Sequence, residues 1–424
     1  MDRLSLLKRH VINSMLITIL MVTNCENMWA QPKSKDLFQV KDVYWFYDGL
    51  ARICNSSGQY GFIDYTGKLV IPCKWYGASD FSEGVASVKD QTGKLGYIDT
   101  KGNIIVPCKW DEIGGMKHIS CGLSRVQNDA GLYGFVDMTG KEQIPCEWRF
   151  AGDFSDGLAC VGDESGMMGY IDIFSRLQIP CKWNAAWNFT GGLAAVMDVN
   201  EKWGYIDKTG HLVIPCKWNE VADFSNDTAA VCDDTGKWGF IDKTGQIVIP
   251  CRWSGVSDFS ENLAVVMDEH EKCGYINNNG KLVISCQWDE ASKFKDGLAN
   301  VTDSNYKNGW IDKNGNLVIP CEWNATYGFY DGLAVVAAEN WKWGVIDRTG
   351  RIVVPCQWTE IYHCFSEGLA AVKDGTGKWG YVDKTGRLVI PCQWKDARNF
   401  HKGLAIVQDL DGRWWVIDKT GKKR

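Results

Sequence analysis

Seventeen cysteines, six histidines and 52 carboxylate side chains are the groups in this 424-residue chain that could do chemistry. Ten of the cysteines open a Cys-x-Trp triplet, at Cys73, Cys108, Cys146, Cys181, Cys216, Cys251, Cys286, Cys321, Cys356 and Cys392. The intervals are 35 residues, apart from 38 after Cys108 and 36 after Cys356. A thiol that recurs alone has no second ligand beside it. No histidine or further cysteine keeps the same period, so a ladder of metal sites is not expected. Cysteines in an exported chain suggest disulfides, yet a position repeated beside a strand end suits a small buried apolar residue, and a free thiol packs as one. Equivalent Cα atoms of stacked units lie about 5–10 Å apart, and only the short end of that range admits a bridge. We expect buried thiols, with bridges between successive repeats as the alternative.

The other reactive groups point away from catalysis. His211, His270 and His401 fall at unrelated points of the repeat, and His10 lies in the N-terminal segment. The chain contains no HExxH, G-x-S-x-G or glycine-rich phosphate loop. Asp/Glu pairs are too frequent in so acidic a chain to single out two carboxylates. No catalytic residue, cofactor or metal is expected, and the chain reads as no enzyme. Tryptophan is the more suggestive residue. Of 21, ten close the triplets, from Trp75 to Trp394. Each would cap the contact between neighbouring units, burying on the order of 200 Å². Exposed, the same rings would be platforms for sugars. Trp187 and Trp341 stand where other units lack Trp, and Trp310 replaces a usual Tyr or Phe, so these three are the candidates for glycan stacking.

The elements that position these groups are short. One unit runs from Phe189 to Trp218 and holds three apolar runs, at 193–196, 203–206 and 212–214. Each is rich in β-branched, aromatic or small residues and bounded by Gly, Asp, His or Pro, as short strands are. Asp207-Lys208-Thr209-Gly210 is a hairpin loop, the Asp bonding its own backbone and the Gly supplying positive φ. That role makes calcium binding by the repeated Asp the lesser reading. Pro215 lacks an N–H and should end the third strand. The unit reads as a three-stranded β-meander, and the absence of any sustained 3.6-residue apolar period makes the array all-β.

Trp-Gly-Tyr-Ile-Asp, Lys-Thr-Gly, Val-Ile-Pro and Phe-Ser-Glu-Gly-Leu-Ala recur in fixed order, the last at 365–370. In these sub-motifs residues 46–424 resemble the bacterial WG-repeat family, also called KWG repeats. The pattern is broken where Trp415 replaces Gly, Asn277 replaces Asp and Ser285 replaces Pro. The resemblance implies a β-rich repeat found largely in exported or envelope proteins, with no catalytic residues to carry over.

The N-terminus fits export: Lys8, Arg9 and His10 precede an apolar stretch from Val11 to Val22, and Ala30 offers a small residue for cleavage. We expect a signal peptide over 1–30, an N-terminal cap over 31–45 and the repeat array over 46–424. The protein would be periplasmic, surface-associated or secreted. A lipoprotein anchored through Cys25 is the alternative. No membrane span is expected in the mature chain. A net charge of −6 without a basic patch excludes nucleic acid as a partner.

About eleven units of 35 residues exceed the usual blade count of a propeller, so we expect an open, twisted, solenoid-like array. A closed β-propeller-like ring is the alternative, with Leu37 to Tyr44 supplying the strand that the last unit lacks. The expected function is a non-enzymatic exported scaffold that binds a protein partner. A glycan-binding module using exposed aromatics is the second reading. Both changes in repeat length fall between a triplet Trp and the next Gly-Leu, at 111–121 and 359–367. Insertions in repeat arrays collect on loops that bind partners. Lys117, His118, Tyr362 and His363 are the candidate partner contacts.

Overall fold

Each repeat folds as its apolar runs dictate, with one strand more than the sequence suggests. The computed structural model describes residues 40–114, 121–362 and 365–424. These form eleven antiparallel sheets, ten with four strands and the last with three. The proposed signal peptide with Cys25 and Ala30, and also Lys117, His118 and His363, lie outside the described residues. We number the sheets as blades 1–11 in chain order. In blade 6 the first strand is Glu220–Val221, followed by Thr228–Cys232, Trp238–Asp242 and Ile247–Trp253. A two-residue first strand carries no legible period, which is why the meander seemed to have three. It arises because the chain leaves the triplet Trp of one blade and pairs at once with the second strand of the next, Glu220 opposite Cys232.

The fourth strand does not stop at proline. In blade 5 it runs Leu212–Trp218, through Pro215. Tyr205 pairs with Ile214 and Trp203 with Trp218, so Pro215, Cys216 and Lys217 of the fourth strand face the single residue Gly204 of the third. Proline sits in this bulge on an edge strand, where no ladder donor is missed. The bulge also explains the glycine of Trp-Gly. A Cβ on Gly239 would stand 2.5 Å from the Ile249 carbonyl oxygen and 2.7 Å from the Cys251 nitrogen. Blade 11 has no complete fourth strand, and there alone the glycine is replaced, by Trp415.

Blades pack face to face, because successive residues of a strand point to opposite sides. Tyr205 of blade 5 joins Ile214 and Trp218 against Val221, Phe224 and Val231 of blade 6. Its neighbour Ile206 faces the other way, onto Tyr170 and Trp183 of blade 4. The chain closes on itself. Ile406 and Trp414 of blade 11 pack on Val43, Ala51, Ile53 and Ile63 of blade 1. The array is therefore the closed, propeller-like ring of eleven blades, and the expectation of an open array is corrected. The proposed strand exchange is corrected too. The described part of that segment, within Val40–Tyr47, is the first strand of blade 1 and pairs with Leu50–Asn55. Closure rests on face packing, which each seam repeats.

At the seam between blades 11 and 1 the contacts change in kind. In blades 5, 8, 10 and 11 a lysine just after the third strand reaches back to the preceding blade, as Lys384 does to Asp331 at 2.7 Å. In blade 1 this place holds Tyr65, which stacks on His401 of blade 11 at 4.8 Å and on Phe46 at 4.5 Å.

Candidate functional site

The repeated polar groups are taken up by the fold. The Asp207 carboxylate accepts the N–H of Thr209 at 2.9 Å, its hydroxyl at 2.6 Å and the N–H of His211 at 3.0 Å, so it is the turn residue expected. The Thr209 hydroxyl, first among these donors, holds the Asp207 pKa below the usual carboxylate value. The tyrosine hydroxyl of the third strand crosses the seam: Tyr205 donates to the Ala222 carbonyl of the next blade at 2.6 Å and Tyr170 to that of Trp187 at 2.6 Å. Acidic side chains in the turn before the second strand do the same. Asp156 accepts from Gly192 N–H at 2.9 Å and Glu367 from Gly403 N–H at 2.8 Å. Serines of that turn add a third bond, Ser155 to the Phe189 carbonyl at 2.6 Å.

The cysteines are packing groups. All fifteen in the described residues are thiols. The triplet thiols are partly buried rather than enclosed, each lying over its own blade as Cys216 Sγ does, 3.9 Å from the Val196 carbonyl oxygen. Burial pushes the Cys216 and Cys392 thiols up to about 11, so they stay protonated at neutral pH. Among the described residues no group of three or more His, Cys, Asp and Glu side chains could hold a metal ion. A shallow hollow of about 370 Å³ lies by Gln357, Trp358, Asp374, Leu388 and Cys392, and no set of reactive groups converges on it.

The triplet tryptophans close the seams, as the burying interpretation requires. Eight of the ten are buried, and Trp148 and Trp288 are partly so. Trp310 is corrected as a glycan candidate. It is 2% exposed and lies edge-on to Phe329 in the seam between blades 8 and 9, at a position where eight other blades use Tyr or Phe and two use Val. Trp341 is 62% exposed, at a turn position of φ 57° that other blades fill with Gly, Glu or Tyr.

Trp187 and Tyr362, singled out for different reasons, occupy one repeat position, four residues past the triplet Trp. The structure adds Tyr327 and, in blade 1, Tyr44. Each sits against the first residue of its own blade's third strand: Trp187 against Trp203 at 5.2 Å, Tyr327 against Trp343 at 5.1 Å, Tyr362 against Trp379 at 4.6 Å, and Tyr44 near Tyr60 at 6.3 Å. Trp187 is 39% and Tyr327 41% exposed. Tyr362 also accepts a bond from Arg398 at 3.2 Å and meets the edge of Trp45 at 5.6 Å. Aligning residues on the triplet Trp was the signal that could have found Tyr327. Ring closure brings the two variable segments nearer, in blades 3 and 10: seven blades apart along the chain and four across the seam.

Comparison with known proteins gives a family and little else. The model of the "WG containing repeat" family matches ten times, at 60–94, 96–130, 133–162, 168–203, 203–238, 238–269, 274–306, 309–340, 343–378 and 379–414. No curated protein matches. Among solved structures, the computationally designed Ika8 protein is 16% identical, covers 62% of this chain and 94% of its own, with a TM-score of 0.30. BamB from Moraxella catarrhalis is 9% identical over 74% and 94%, at 0.32. The extracellular domain of the putative hybrid two-component system BT3049 from B. thetaiotaomicron is 10% identical over 89% and 63%, at 0.24. Scores this low carry no argument. Among the described residues no helix is long and apolar enough to cross a membrane, which says nothing of strand-built spans.

Proposed function

This chain belongs to the WG-repeat family, and from that membership we propose that it is a non-enzymatic, exported scaffold that binds a protein partner. One observation carries the reading: the row of triplet tryptophans is spent inside the seams. A rigid ring whose repeated aromatic row is buried has its connections left as the variable surface, and functional contacts concentrate on loops held by such a scaffold. The connections that vary in length, at 111–121 and 359–367, are the proposed contact region, with Tyr362 its described aromatic member. Export rests on the signal-like segment over 1–30, and the envelope or the medium is the proposed location. The test is a pull-down with the mature protein and with a variant trimmed to the 35-residue consensus in both segments. A partner captured by the first and lost from the second supports the assignment. Capture unchanged by trimming moves the binding surface to the repeated face. N-terminal sequencing of exported protein checks cleavage after Ala30, and a lipidated Cys25 would replace the free form with an anchored one.

Glycan binding stays as a second reading because Trp187, Tyr327 and Trp341 are exposed.

A further inference from the structure

Large apolar side chains are exposed at two successive places in the fourth strand, as Ile247 and Val248 in blade 6, Leu282 and Val283 in blade 7, and Leu317 and Val318 in blade 8. This strand ends each sheet, so one side of its backbone has no neighbour. It also forms the outer rim of the ring. Second-strand residues in a seam are small, as Ala195 and Ala229, and fourth-strand residues large, as Ile214 and Trp218. Close-packed blades therefore splay towards the fourth strand. An exposed apolar edge pairs with other chains unless something blunts it. Nine of the ten fourth strands are blunted by a proline two residues after the exposed place, as at Pro250 and Pro320. Blade 7 departs from this. Ser285 stands there, exposed, in the strand Leu282–Trp288. Blades 6 and 7 have the same register between third and fourth strands, one with proline and one with serine. The ladder thus needs no donor at this place, and Ser285 supplies an N–H that its own sheet does not use. A second departure lies beside it. In other blades the basic residue opening the fourth strand pairs with the turn Asp, as Arg176 does with Asp172 at 2.6 Å and Arg387 with Asp383 at 3.0 Å. In blade 7 the turn residue is Asn277, which accepts only the Lys281 N–H at 3.0 Å, and among the described residues no carboxylate pairs with the exposed Lys281 ammonium.

We propose that the Leu282–Trp288 edge of blade 7 is a docking site for an extended segment of a partner protein, added antiparallel as a fifth strand. The site lies apart from the connections of blades 3 and 10 and does not depend on them. Backbone bonds to the free edge hold the segment, and side chains opposite the edge select it. The edge calls for β-branched or aliphatic residues across from Leu282 and Val283. It calls for a carboxylate at the segment's C-terminal end, where an antiparallel strand passes Lys281. A second copy of the ring does not suit the site. Two convex rims touch at about one blade each, far short of the roughly 1,000 Å² that a specific interface buries.

The experiment is fluorescence anisotropy of a labelled, end-capped peptide, Ser-Thr-Val-Ile-Val-Glu-Ser, titrated with the mature protein. It should bind saturably at one site per chain. Ser285→Pro gives blade 7 the sequence of the other nine, so it should fold with unchanged melting temperature and weaken the peptide by roughly tenfold. Ser285→Ala keeps the N–H and should stay within about twofold of the wild type. Changing the peptide's Glu to Lys should weaken binding by roughly fivefold, and Lys281→Glu should reverse that preference. Absence of saturable binding overturns the proposal. So does binding that Ser285→Pro leaves unchanged, or that Ser285→Ala abolishes as fully as Ser285→Pro. Sedimentation of the protein alone as a dimer, lost in Ser285→Pro and not competed by the peptide, would make the occupant a second copy and overturn it as well.

Discussion

Replacing Gly239 by Ala should cost more than any other one-methyl change in blade 6. The added Cβ would lie 2.5 Å from the Ile249 carbonyl oxygen, 2.7 Å from the Cys251 nitrogen and 2.8 Å from the Pro250 carbonyl carbon. All three are backbone atoms of the bulge, so no side-chain rotation makes room. Overpacking of a tight core costs about 1–3 kcal/mol, and a clash that only backbone movement can relieve belongs at the top of that range. If the ring of roughly 380 residues unfolds as one unit, its unfolding entropy turns about 3 kcal/mol into a fall of about 4 °C in Tm. Blade-by-blade melting would instead confine the loss to blade 6 and its two neighbours. Differential scanning calorimetry measures the first outcome and hydrogen exchange of the Ile247–Trp253 strand the second. Trp415 is the internal control, because it holds the same position in the blade that lacks a full fourth strand. Its indole N–H donates to Asp409 at 2.7 Å and its ring lies 3.6 Å from Lys423 Nζ, so Trp415→Ala removes surface contacts and should cost about 1 kcal/mol. Gly239→Ala with wild-type stability and exchange would show that the bulge is not what demands glycine.

Tyr205→Phe removes the bond to the Ala222 carbonyl and should cost about 1 kcal/mol, read from the shift of a urea midpoint. The turn carboxylates should make the ring acid-sensitive. Asp137 and Asp383 are lowered to about 2, chiefly by hydrogen bonds from Thr139 and Thr385, well below the usual carboxylate range. A depressed folded pKa stabilises above the unfolded value and loses that contribution as pH falls, so the urea midpoint should be flat from pH 7 to 5 and decline between about 4 and 2. A decline that begins above pH 5 would rule these groups out as its cause. Exposed Cys121 should react first with a thiol reagent, and the triplet cysteines only after unfolding. Cys251→Ser should cost about 1–3 kcal/mol in chemical denaturation, through a hydroxyl placed where the thiol is half-buried and only weakly bonded.

Local order was legible in the sequence because it is written in local chemistry. The strands at 193–196 and 203–206 follow from their apolar and β-branched residues, and the turn at Asp207 from one carboxylate and one glycine. Burial of the triplet tryptophans followed from a period that needs a filled contact at every repeat. Other features depend on groups far apart in the chain. The first strand of nine blades is two residues long and exists only because the next strand is there to pair with it. Pro215 lies inside a strand because its nitrogen, which has no hydrogen to donate, falls in a bulge where the ladder needs no donor, something a rule about proline alone cannot see. Trp310 looked exceptional and is buried, since what it touches is set by Ala334, Val336 and Ile346 of the following blade. Closure is the furthest from local. It depends on a small rotation at every seam, summed until Trp414 meets Val43, and no single 35-residue unit encodes that sum.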